Sequence, residues 1–378
     1  MEEIVVLYVC IDENMGGSTQ SLLNLIRSVR GMVKPIVLVP QKSSAYDAFI
    51  QEGVECHVYP FIKLYILKEN NFFDVLRTLW RWHVIKKIRF DYGCYWFLKK
   101  ALGNRKIDIV HSNTSPNDIG VLLARKFRAK HVWHIREFCD LDFNFDIYKG
   151  IPRLRNLVNK ADARIAISTA IYNHWRLCDN NSWVIMNAIR SKNDACYISE
   201  KDKYLLFSSY NLTEAKGTRK AIVAFAKSNV ANNGYILKLL GNCSDEYKKS
   251  LLETIDEYNI RKNVEFVPCQ LDVKPYFKMA TAYIMASVYE GLGRVTGEAM
   301  FYGCPVIAYA SGGSLDLIKN YKTGYLFRTE DECAEIIKKV CNSDQSEIIF
   351  NAQEFAIKNL SQECYAPKIM NVYKRVLL

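Results

Sequence analysis

The sequence predicts an α/β protein built from two doubly wound, Rossmann-like domains that face a central cleft. The first observation is length, because 378 residues exceed what one hydrophobic core usually serves. The second is that short β-branched runs alternate with helix-length stretches, as in parallel sheets covered by helices on both faces. The third is that this alternation occurs twice, in one series before residue 190 and in another after residue 200.

The first series begins with an uninterrupted apolar run at residues 4–11, which is typical of a strand buried on both faces. A turn at Gly16 and Gly17 follows, and a helical pattern comes after it. Further strands are predicted at 35–39, 56–59, 107–111, 131–134 and 164–167, with helices near 44–52 and 117–128. We therefore predict a first Rossmann-like domain over residues 1–190.

The second series contains predicted strands at 204–208, 235–240, 264–267, 282–286 and 305–308. The polar stretch 187–201 is the predicted hinge between the two series. Residues 345–378 have the pattern of terminal helices, and we expect the last of them, 361–378, to pack back on the first domain. Residues 191–360 remain as the second Rossmann-like domain.

Composition excludes several classes of protein. Twelve cysteines are present, but they are scattered and form no C-x-x-C pair, so neither a zinc site nor a redox motif is indicated. No run of about 18 apolar residues occurs that could span a membrane, and the first residues lack the pattern of a signal peptide. These features predict a cytoplasmic protein in a reducing compartment.

The most informative stretch for function runs from Ser287 to Met300 and follows a predicted strand. It contains Glu290 and Glu298 with seven residues between them, and a glycine stands on each side of Leu292. The helix expected here would present free N–H groups to an anion, and a carboxylate one turn into it could accept hydrogen bonds from a vicinal diol. A nucleoside diphosphate supplies both groups, as its pyrophosphate and its ribose.

A second glycine turn supports this interpretation. Gly312 and Gly313 follow the predicted strand at 305–308 and open a helix with Asp316 in its first turn. Turns after consecutive parallel strands leave the same edge of a sheet, so the two turns should line one cleft.

The order and spacing of these motifs resemble family 4 of the retaining glycosyltransferases, which have the GT-B architecture. The pair Glu290 and Glu298 resembles the E-x7-E element that is the most specific mark of the family. The resemblance covers nearly the whole chain, and its other matching stretches are Gly16–Gly17, His131–Glu137, Asn187–Ile189, Gly312–Gly313 and Gly324–Leu326.

The resemblance implies that the first domain is the acceptor side and the second domain the donor side. Glu298 would bind the ribose hydroxyls of the donor. The transferred sugar would be held by Glu290 and by the backbone of the three residues after it, Gly291, Leu292 and Gly293.

The resemblance also implies how the diphosphate and the reacting sugar are approached. Lys216 would bind the diphosphate, and Gly16 and Gly17 would let the backbone come close to the same phosphates, where a Cβ atom would stand in the way. His134 would face the sugar from the first domain and is the catalytic histidine that the resemblance implies, beside Glu290 and Lys216.

One departure from the family pattern concerns the charge at the diphosphate. The family places an arginine five residues before the lysine, whereas this chain has Asn211 there. Arg294 stands beside the glycine turn and could replace the missing charge with its planar set of donors. Because no Asp-x-Asp element follows a strand of the donor region, we expect no metal and no other cofactor, with the nucleotide-sugar acting as co-substrate.

The resemblance thus implies a hexosyltransferase that keeps the anomeric configuration of the transferred sugar. A UDP-hexose is the favoured donor and a GDP-sugar the second choice, and the acceptor would be a glycan or lipid-linked glycan of surface polysaccharide biosynthesis. Two alternatives remain open, a nucleotide-sugar epimerase of the same double Rossmann layout and a non-catalytic assembly partner. Asn211 keeps the second alternative open, because it weakens the expected phosphate site.

The positive net charge of +11 is concentrated between residues 61 and 106, where Lys and Arg residues are interleaved with aromatic ones. Cations and rings together suit contact with anionic lipid at the inner face of the membrane. The alternative is an ordinary core helix with a basic outer face. A nucleic-acid partner is not expected, because the segment contains no recognised binding module.

Overall fold

The computed structural model describes residues 3–67, 73, 76, 80, 90–142, 145–270 and 272–378. The chain divides into two compact units, of which the first comprises Met1–Ala188 with Tyr365–Leu378 and the second Ile189–Cys364. Each unit contains one large parallel sheet with helices between its strands. The prediction of two Rossmann-like domains is therefore confirmed.

The first unit is built on a seven-stranded parallel sheet of order β3-β2-β1-β5-β6-β8-β9, beside a two-stranded antiparallel pair, β4 and β7. Its elements are β1 (Ile4–Cys10), α1 (Gly17–Ser28), β2 (Val33–Val39), α2 (Ser44–Gln51), β3 (Glu55–Val58), β4 (Tyr65–Leu67), α3 (Gly93–Leu102), β5 (Ile109–Asn113), α4 (Ile119–Phe127), β6 (Lys130–Ile135), β7 (Phe145–Ile147), α5 (Gly150–Val158), β8 (Ala163–Ala166), α6 (Thr169–His174) and β9 (Ser182–Val184).

Strand β1 is buried on both faces because its residues alternate between two hydrophobic cores. Val6 and Tyr8 pack in the core that also contains α1, whereas Leu7 and Val9 pack in the core that contains α3 and α4. The continuous apolar run at residues 4–11 therefore follows from burial on two sides.

The second unit is built on a six-stranded parallel sheet of order β12-β11-β10-β13-β14-β15. Its elements are β10 (Tyr204–Asn211), α7 (Thr218–Ser228), β11 (Ile236–Asn242), α8 (Asp245–Glu257), β12 (Val264–Val267), α9 (Lys274–Met279), β13 (Ala282–Met285), α10 (Arg294–Phe301), β14 (Val306–Tyr309), α11 (Ser314–Leu317), β15 (Tyr325–Phe327), α12 (Glu330–Asn342) and α13 (Ser346–Leu360).

The last helix, α14 (Gln362–Leu377), begins in the second unit and continues into the first. A buried hydrogen-bonded group fixes its end there. The Tyr373 hydroxyl donates to the Tyr8 hydroxyl at 3.1 Å and lies 2.9 Å from Nδ1 of His111. Most buried polar groups in proteins are hydrogen-bonded, and these contacts of Tyr373 tie the helix to the sheet of the first unit.

Part of the basic aromatic segment predicted between residues 61 and 106 lies outside the described residues, which omit 68–72, 74–75, 77–79 and 81–89. Among its described members, Phe73, Trp80 and Trp96 are exposed. Over the part of the chain that is described, none of the helices is both long enough and apolar enough to cross a membrane.

Candidate functional site

The candidate site lies at the carboxyl ends of β10 and β13. These two strands are neighbours in the sheet although β11 and β12 come between them in the chain. Strands β11 and β12 extend the sheet on one side of β10, and β13 begins the other side. Parallel sheets bind ligands outside the carboxyl edge at such a reversal of strand order. The loops that follow β10 and β13 carry the predicted donor residues.

Lys216 is positioned by the glycine that follows it. Gly217 has φ +80°, and a Cβ atom there would lie 2.3 Å from the backbone oxygen of Ala286, so only glycine fits. The turn from Thr213 to Gly217 therefore packs directly against the end of β13. This contact brings the Lys216 side chain to the loop that carries the first glutamate.

Lys216 and Glu290 form an ion pair, with Nζ 3.0 Å from Oε2. The side chains are 41% and 24% exposed, respectively, so solvent screens the pair in part. Because both side chains are partly exposed, each can exchange its partner in this ion pair for a group of a ligand.

The second glycine turn supports the loop of Glu290. The N–H of Gly313 donates to the backbone oxygen of Glu290 at 2.8 Å. A Cβ atom at Gly313 would lie 2.4 Å from Cα of Leu292, and Gly312 has φ +56°. The two turns predicted to share one edge are therefore in direct backbone contact.

Helix α10 begins immediately after the first glycine turn. Gly293 caps it with φ +91°, and Arg294 is its first residue. One turn further, Glu298 lies with Oε1 3.7 Å from Nη2 of Arg294, in a side chain that is only 11% exposed. Burial, and next the charges of Glu290 and Glu298, raise the pKa of Tyr283 well above its usual value. Tyr283 belongs to β13, so the two carboxylates lie close enough to this strand for their charges to be felt there.

A residue that sequence reasoning did not single out completes this cluster. Nη2 of Arg190 donates to Oε1 of Glu298 at 3.1 Å. Three cations, Arg190, Lys216 and Arg294, thus stand beside the two carboxylates, and cations of this kind can bind an anionic ligand. The only signal for Arg190 in the sequence is its place directly after the hinge motif that ends at Ile189.

Other predicted donor residues stand at the edges of these elements. Asn211 ends β10, is exposed, and pairs with Asn242 in the ladder. Leu292 is buried, so its backbone and not its side chain is offered to a ligand. Gly291 lies in the same turn, and its backbone oxygen would be 2.5 Å from a Cβ atom placed at Gly313.

Gly16, Gly17 and His134 belong to the first unit. Gly16 precedes α1 with φ −74°, and a Cβ atom built on it meets nothing within 4 Å, so the fold itself does not require glycine there. Gly17 is the first residue of α1.

His134 lies on β6 and is fully buried. Its Nδ1 accepts a hydrogen bond from Nη2 of Arg136 at 3.3 Å, and its ring lies 5.3 Å from the ring of His111. Burial, and next the positive charge of Arg136, hold the pKa of His134 well below its usual range. The neutral ring therefore carries its proton on Nε2, which has no hydrogen-bond partner among the described residues.

The carboxyl ends of β5 and β6 carry further buried polar groups. Arg136 donates to Asn113 at 2.7 Å and to Asn187, and burial raises the pKa of Glu137 to about 8. Thr114 has φ +95°, which a β-branched residue rarely adopts. Backbone strain of this kind collects at functional sites.

Two family models match the chain. The model described as Glycosyltransferase Family 4 matches residues 15–191, and the model described as Glycosyl transferases group 1 matches residues 190–355. Between them they cover residues 15–355, which include every predicted site residue.

Among curated proteins, a glycosyltransferase of Methanocaldococcus jannaschii is 26% identical over 225 residues, which are 58% of this chain and 56% of that protein. The amylovoran biosynthesis glycosyltransferase AmsD of Erwinia amylovora is 31% identical over 109 residues, which are 27% of this chain and 30% of that protein. The matches thus span about a third to just over half of these relatives' own length.

Solved structures match over almost the whole chain. HepE of Anabaena, in complex with UDP and glucose, has a TM-score of 0.78 at 19% identity and covers 99% of this chain and 100% of its own. TarM of S. aureus, in complex with fondaparinux, alpha-GlcNAc-glycerol and UDP, has a TM-score of 0.73 at 17% identity and covers 99% of this chain and 100% of its own. These likenesses show the fold, and the predicted GT-B architecture is confirmed.

Proposed function

Because this chain belongs to the family 4 glycosyltransferases of GT-B fold, we propose that it transfers a hexose from a nucleotide diphosphate donor with retention of the anomeric configuration. UDP is the favoured nucleotide, with a GDP-sugar as the second choice. The neighbours HepE and TarM, which are seen with UDP, support this preference. The proposed acceptor is a glycan or lipid-linked glycan of surface polysaccharide biosynthesis.

The observation that carries this proposal is the charged cluster at the carboxyl ends of β10 and β13. Lys216 and Arg294 supply cations for a diphosphate, and the N-terminus of α10 adds N–H groups for the same anion. Glu298 supplies an acceptor for ribose hydroxyls. A nucleoside diphosphate is the ligand that needs all of these groups together.

In the proposed reaction, the main task of the protein is to stabilise the negative charge that develops on the departing diphosphate. Lys216 would leave Glu290 for the phosphate oxygens, and Glu290 would then accept hydrogen bonds from the transferred sugar. The departing phosphate can take the proton of the acceptor hydroxyl, so no strong base is needed. We propose that side-chain cations and helix ends do this without a metal ion.

His134 has the protonation state that a hydrogen-bond donor to a sugar needs. Its Nε2 carries the proton, while Arg136 occupies Nδ1. Burial keeps the ring neutral, so it would donate a hydrogen bond without adding a cation beside the reacting carbon. We keep His134 as the proposed catalytic histidine and the first unit as the acceptor side.

Peripheral contact with anionic membrane is the last part of the proposal. In α3, Trp96 and Phe97 are exposed beside Lys99 and Lys100, whereas Leu98 is buried on the opposite face. Rings and cations on one helix face suit the headgroup layer. Such contact would present a lipid-linked acceptor to the enzyme.

The test of the proposed function is donor turnover measured by nuclear magnetic resonance. UDP-hexoses and GDP-sugars are incubated with the full chain, with and without a mixture of lipid-linked glycans, in EDTA and in magnesium. We expect nucleotide diphosphate release that requires the acceptor, with retained anomeric configuration and no loss of rate in EDTA.

Three outcomes would contradict parts of this proposal. Conversion of the donor to an isomer without acceptor would indicate an epimerase. Failure of every donor to bind would indicate a non-catalytic assembly partner. Activity that vanishes in EDTA and returns with magnesium or manganese would overturn the metal-free mechanism.

A further inference from the structure

The backbone of Arg190 is fixed by a second segment of the chain. The N–H of Ile189 donates to the backbone oxygen of Leu360 at 2.8 Å. The N–H of Gln362 donates to the backbone oxygen of Arg190 at 3.0 Å. Arg190 and Ser361 form a parallel bridge between these two bonds. The chain leaves the first unit after Ala188 and returns to it at Tyr365, so both connections lie within a few residues of this pairing in the sequence. The position of Arg190 is therefore set by the paired connecting segments.

The Arg190 side chain extends from this pairing to α10. Its Nη2 donates to Oε1 of Glu298 at 3.1 Å, and its guanidinium carbon lies 5.7 Å from the centre of the Tyr302 ring, one turn beyond Glu298. Its Nε is buried and has no hydrogen-bond partner within the described part of the chain. A carboxylate and an aromatic ring together hold the guanidinium in one orientation.

Arg294 approaches the same carboxylate oxygen, with Nη2 3.7 Å from Oε1 of Glu298. Both guanidinium contacts therefore fall on Oε1. The second oxygen, Oε2, has lone pairs of its own and can accept a hydroxyl proton. A carboxylate held through one oxygen presents the other in a fixed direction, which lowers the entropy lost when a ligand binds.

We propose that Arg190 is a positioning residue for donor binding, which holds Glu298 through Oε1 so that Oε2 accepts a ribose hydroxyl. Because Arg190 is also part of the paired connecting segments, it links ribose binding to the place where the chain passes between the units. The inference rests on the proposed function, since it needs a nucleotide whose ribose meets Glu298.

The experiment compares two ligands that differ only at the ribose. UDP and 2′,3′-dideoxy-UDP are titrated calorimetrically into the wild type, Arg190→Ala and Arg190→Lys, and the GDP pair is run in the same way. Arg261→Ala is the matched control, because Arg261 belongs to the same unit but pairs with Asp256 at an exposed site. Thermal unfolding of each variant checks its folding.

We expect Arg190→Ala to bind UDP about tenfold more weakly, the scale of a coupling between residues in contact. Binding of the dideoxy analogue should not change, because it has no hydroxyl for Glu298 to accept. Arg190→Lys should restore part of the preference for ribose, and Arg261→Ala should keep all of it. The ratio of the two affinities within one variant cancels a general loss of stability.

A second measurement tests the link to the connecting segments. Hydrogen exchange of the Ile189 and Gln362 amides should slow when UDP binds to the wild type, and this protection should be absent in Arg190→Ala. Equal protection in both proteins would contradict the link.

The outcomes separate this inference from the function on which it rests. A wild type that binds neither UDP nor GDP overturns the proposed function, and the inference with it. A wild type that prefers ribose, together with an Arg190→Ala variant that keeps the full preference, overturns the positioning role alone.

Discussion

Lys216 and Glu290 neutralise each other across 3.0 Å, and this ion pair determines what a donor has to displace. A diphosphate offers Lys216 more negative charge than one carboxylate does, and sugar hydroxyls offer Glu290 new donors. The exchange of partners is inexpensive because both side chains are in part exposed. Under the proposed function, the pair would open when a donor binds and form again when the product leaves.

The first prediction at the residue scale concerns the diphosphate. Lys216→Ala and Arg294→Ala should each lower turnover by roughly a hundredfold, the scale of losing one preorganised charge contact. The double variant should lose less than the product of the two, because both cations act on one diphosphate. Lys227→Ala is the control, since Lys227 pairs with Asp331 on the surface of the same unit. Normal turnover of Arg294→Ala would show that Arg294 does not replace the charge missing at Asn211.

The second prediction at this scale concerns pH and Glu137. Burial raises the pKa of Glu137 from 4.5 to about 8, so the folded state holds a proton that the unfolded state releases. Between those values, the free energy of unfolding should fall with rising pH by up to about 1.4 kcal/mol per pH unit. Glu137→Gln keeps the shape without the proton and should remove this slope. Denaturant titrations at several pH values measure this slope, and Glu253→Gln, at an exposed position of α8, is the control. The same slope in Glu137→Gln would place Glu137 in a solvated environment.

Sequence reasoning could select Glu290, Glu298 and Lys216 because each belongs to a local motif with a chemical purpose. It could not select Arg190, because the bond from Arg190 to Glu298 joins residues that are 108 positions apart. A hydrogen bond over that separation leaves no local pattern. Only the folded chain shows which arginine reaches the carboxylate.

At the scale of elements, the site depends on two glycine turns that touch through their backbones. The turn after β13 carries Glu290, and the turn after β14 donates to its backbone oxygen from Gly313. Helix α10 then begins at Arg294 and places Glu298 one turn further along. The two turns therefore support each other at the proposed donor site.

This support predicts opposite behaviour for two glycines. Gly313→Ala should destabilise the protein by about 1 to 3 kcal/mol, because its Cβ atom would meet Cα of Leu292 at 2.4 Å. Gly16→Ala should leave stability unchanged, since nothing lies within 4 Å, yet it should weaken donor binding if a phosphate comes close to Gly16. Thermal unfolding and donor titration of both variants measure the contrast. A Gly313→Ala variant as stable as the wild type would contradict the close contact between the turns.

The longer strands could be predicted, because a buried strand of seven residues such as β1 shows a continuous apolar run. Strands β4, β7, β9 and β15 were not predicted, because each has three residues, too few to show a period of two. Strands β4 and β7 form the separate antiparallel pair, and β9 and β15 stand at the ends of the two large sheets.

At the scale of the whole molecule, length and repeated alternation of elements were enough to predict two α/β units. Sequence matches to relatives cover only part of the chain, whereas structural matches cover nearly all of it. A sheet scaffold tolerates wide sequence change, while loops at its carboxyl edge carry the chemistry. Membrane contact through the basic aromatic segment remains a prediction, and part of that segment lies outside the described residues.

The exposed face of α3 allows a test of membrane contact with described residues. Lys100→Glu combined with Trp96→Ala should lower binding to anionic vesicles by about 1 kcal/mol or more, and added salt should imitate the charge change by screening. Donor binding should stay unchanged in the same variant. Co-sedimentation with neutral and anionic vesicles at low and high salt measures the effect. Binding that does not depend on lipid charge or on salt would show that this face of α3 is an ordinary solvated surface and not a membrane contact.

The central claim is that the carboxyl edge of the second unit is a nucleotide-sugar donor site, and calorimetric titration of UDP and GDP tests it most directly. We predict that the wild type binds one of them and that Glu298→Ala loses about 1.5 to 3 kcal/mol of binding free energy, the scale of a hydrogen bond to a charged group. Glu253→Ala, on the exposed face of α8, should bind like the wild type. Equal affinity in the wild type and in Glu298→Ala would contradict the account, because the ribose would then be held elsewhere.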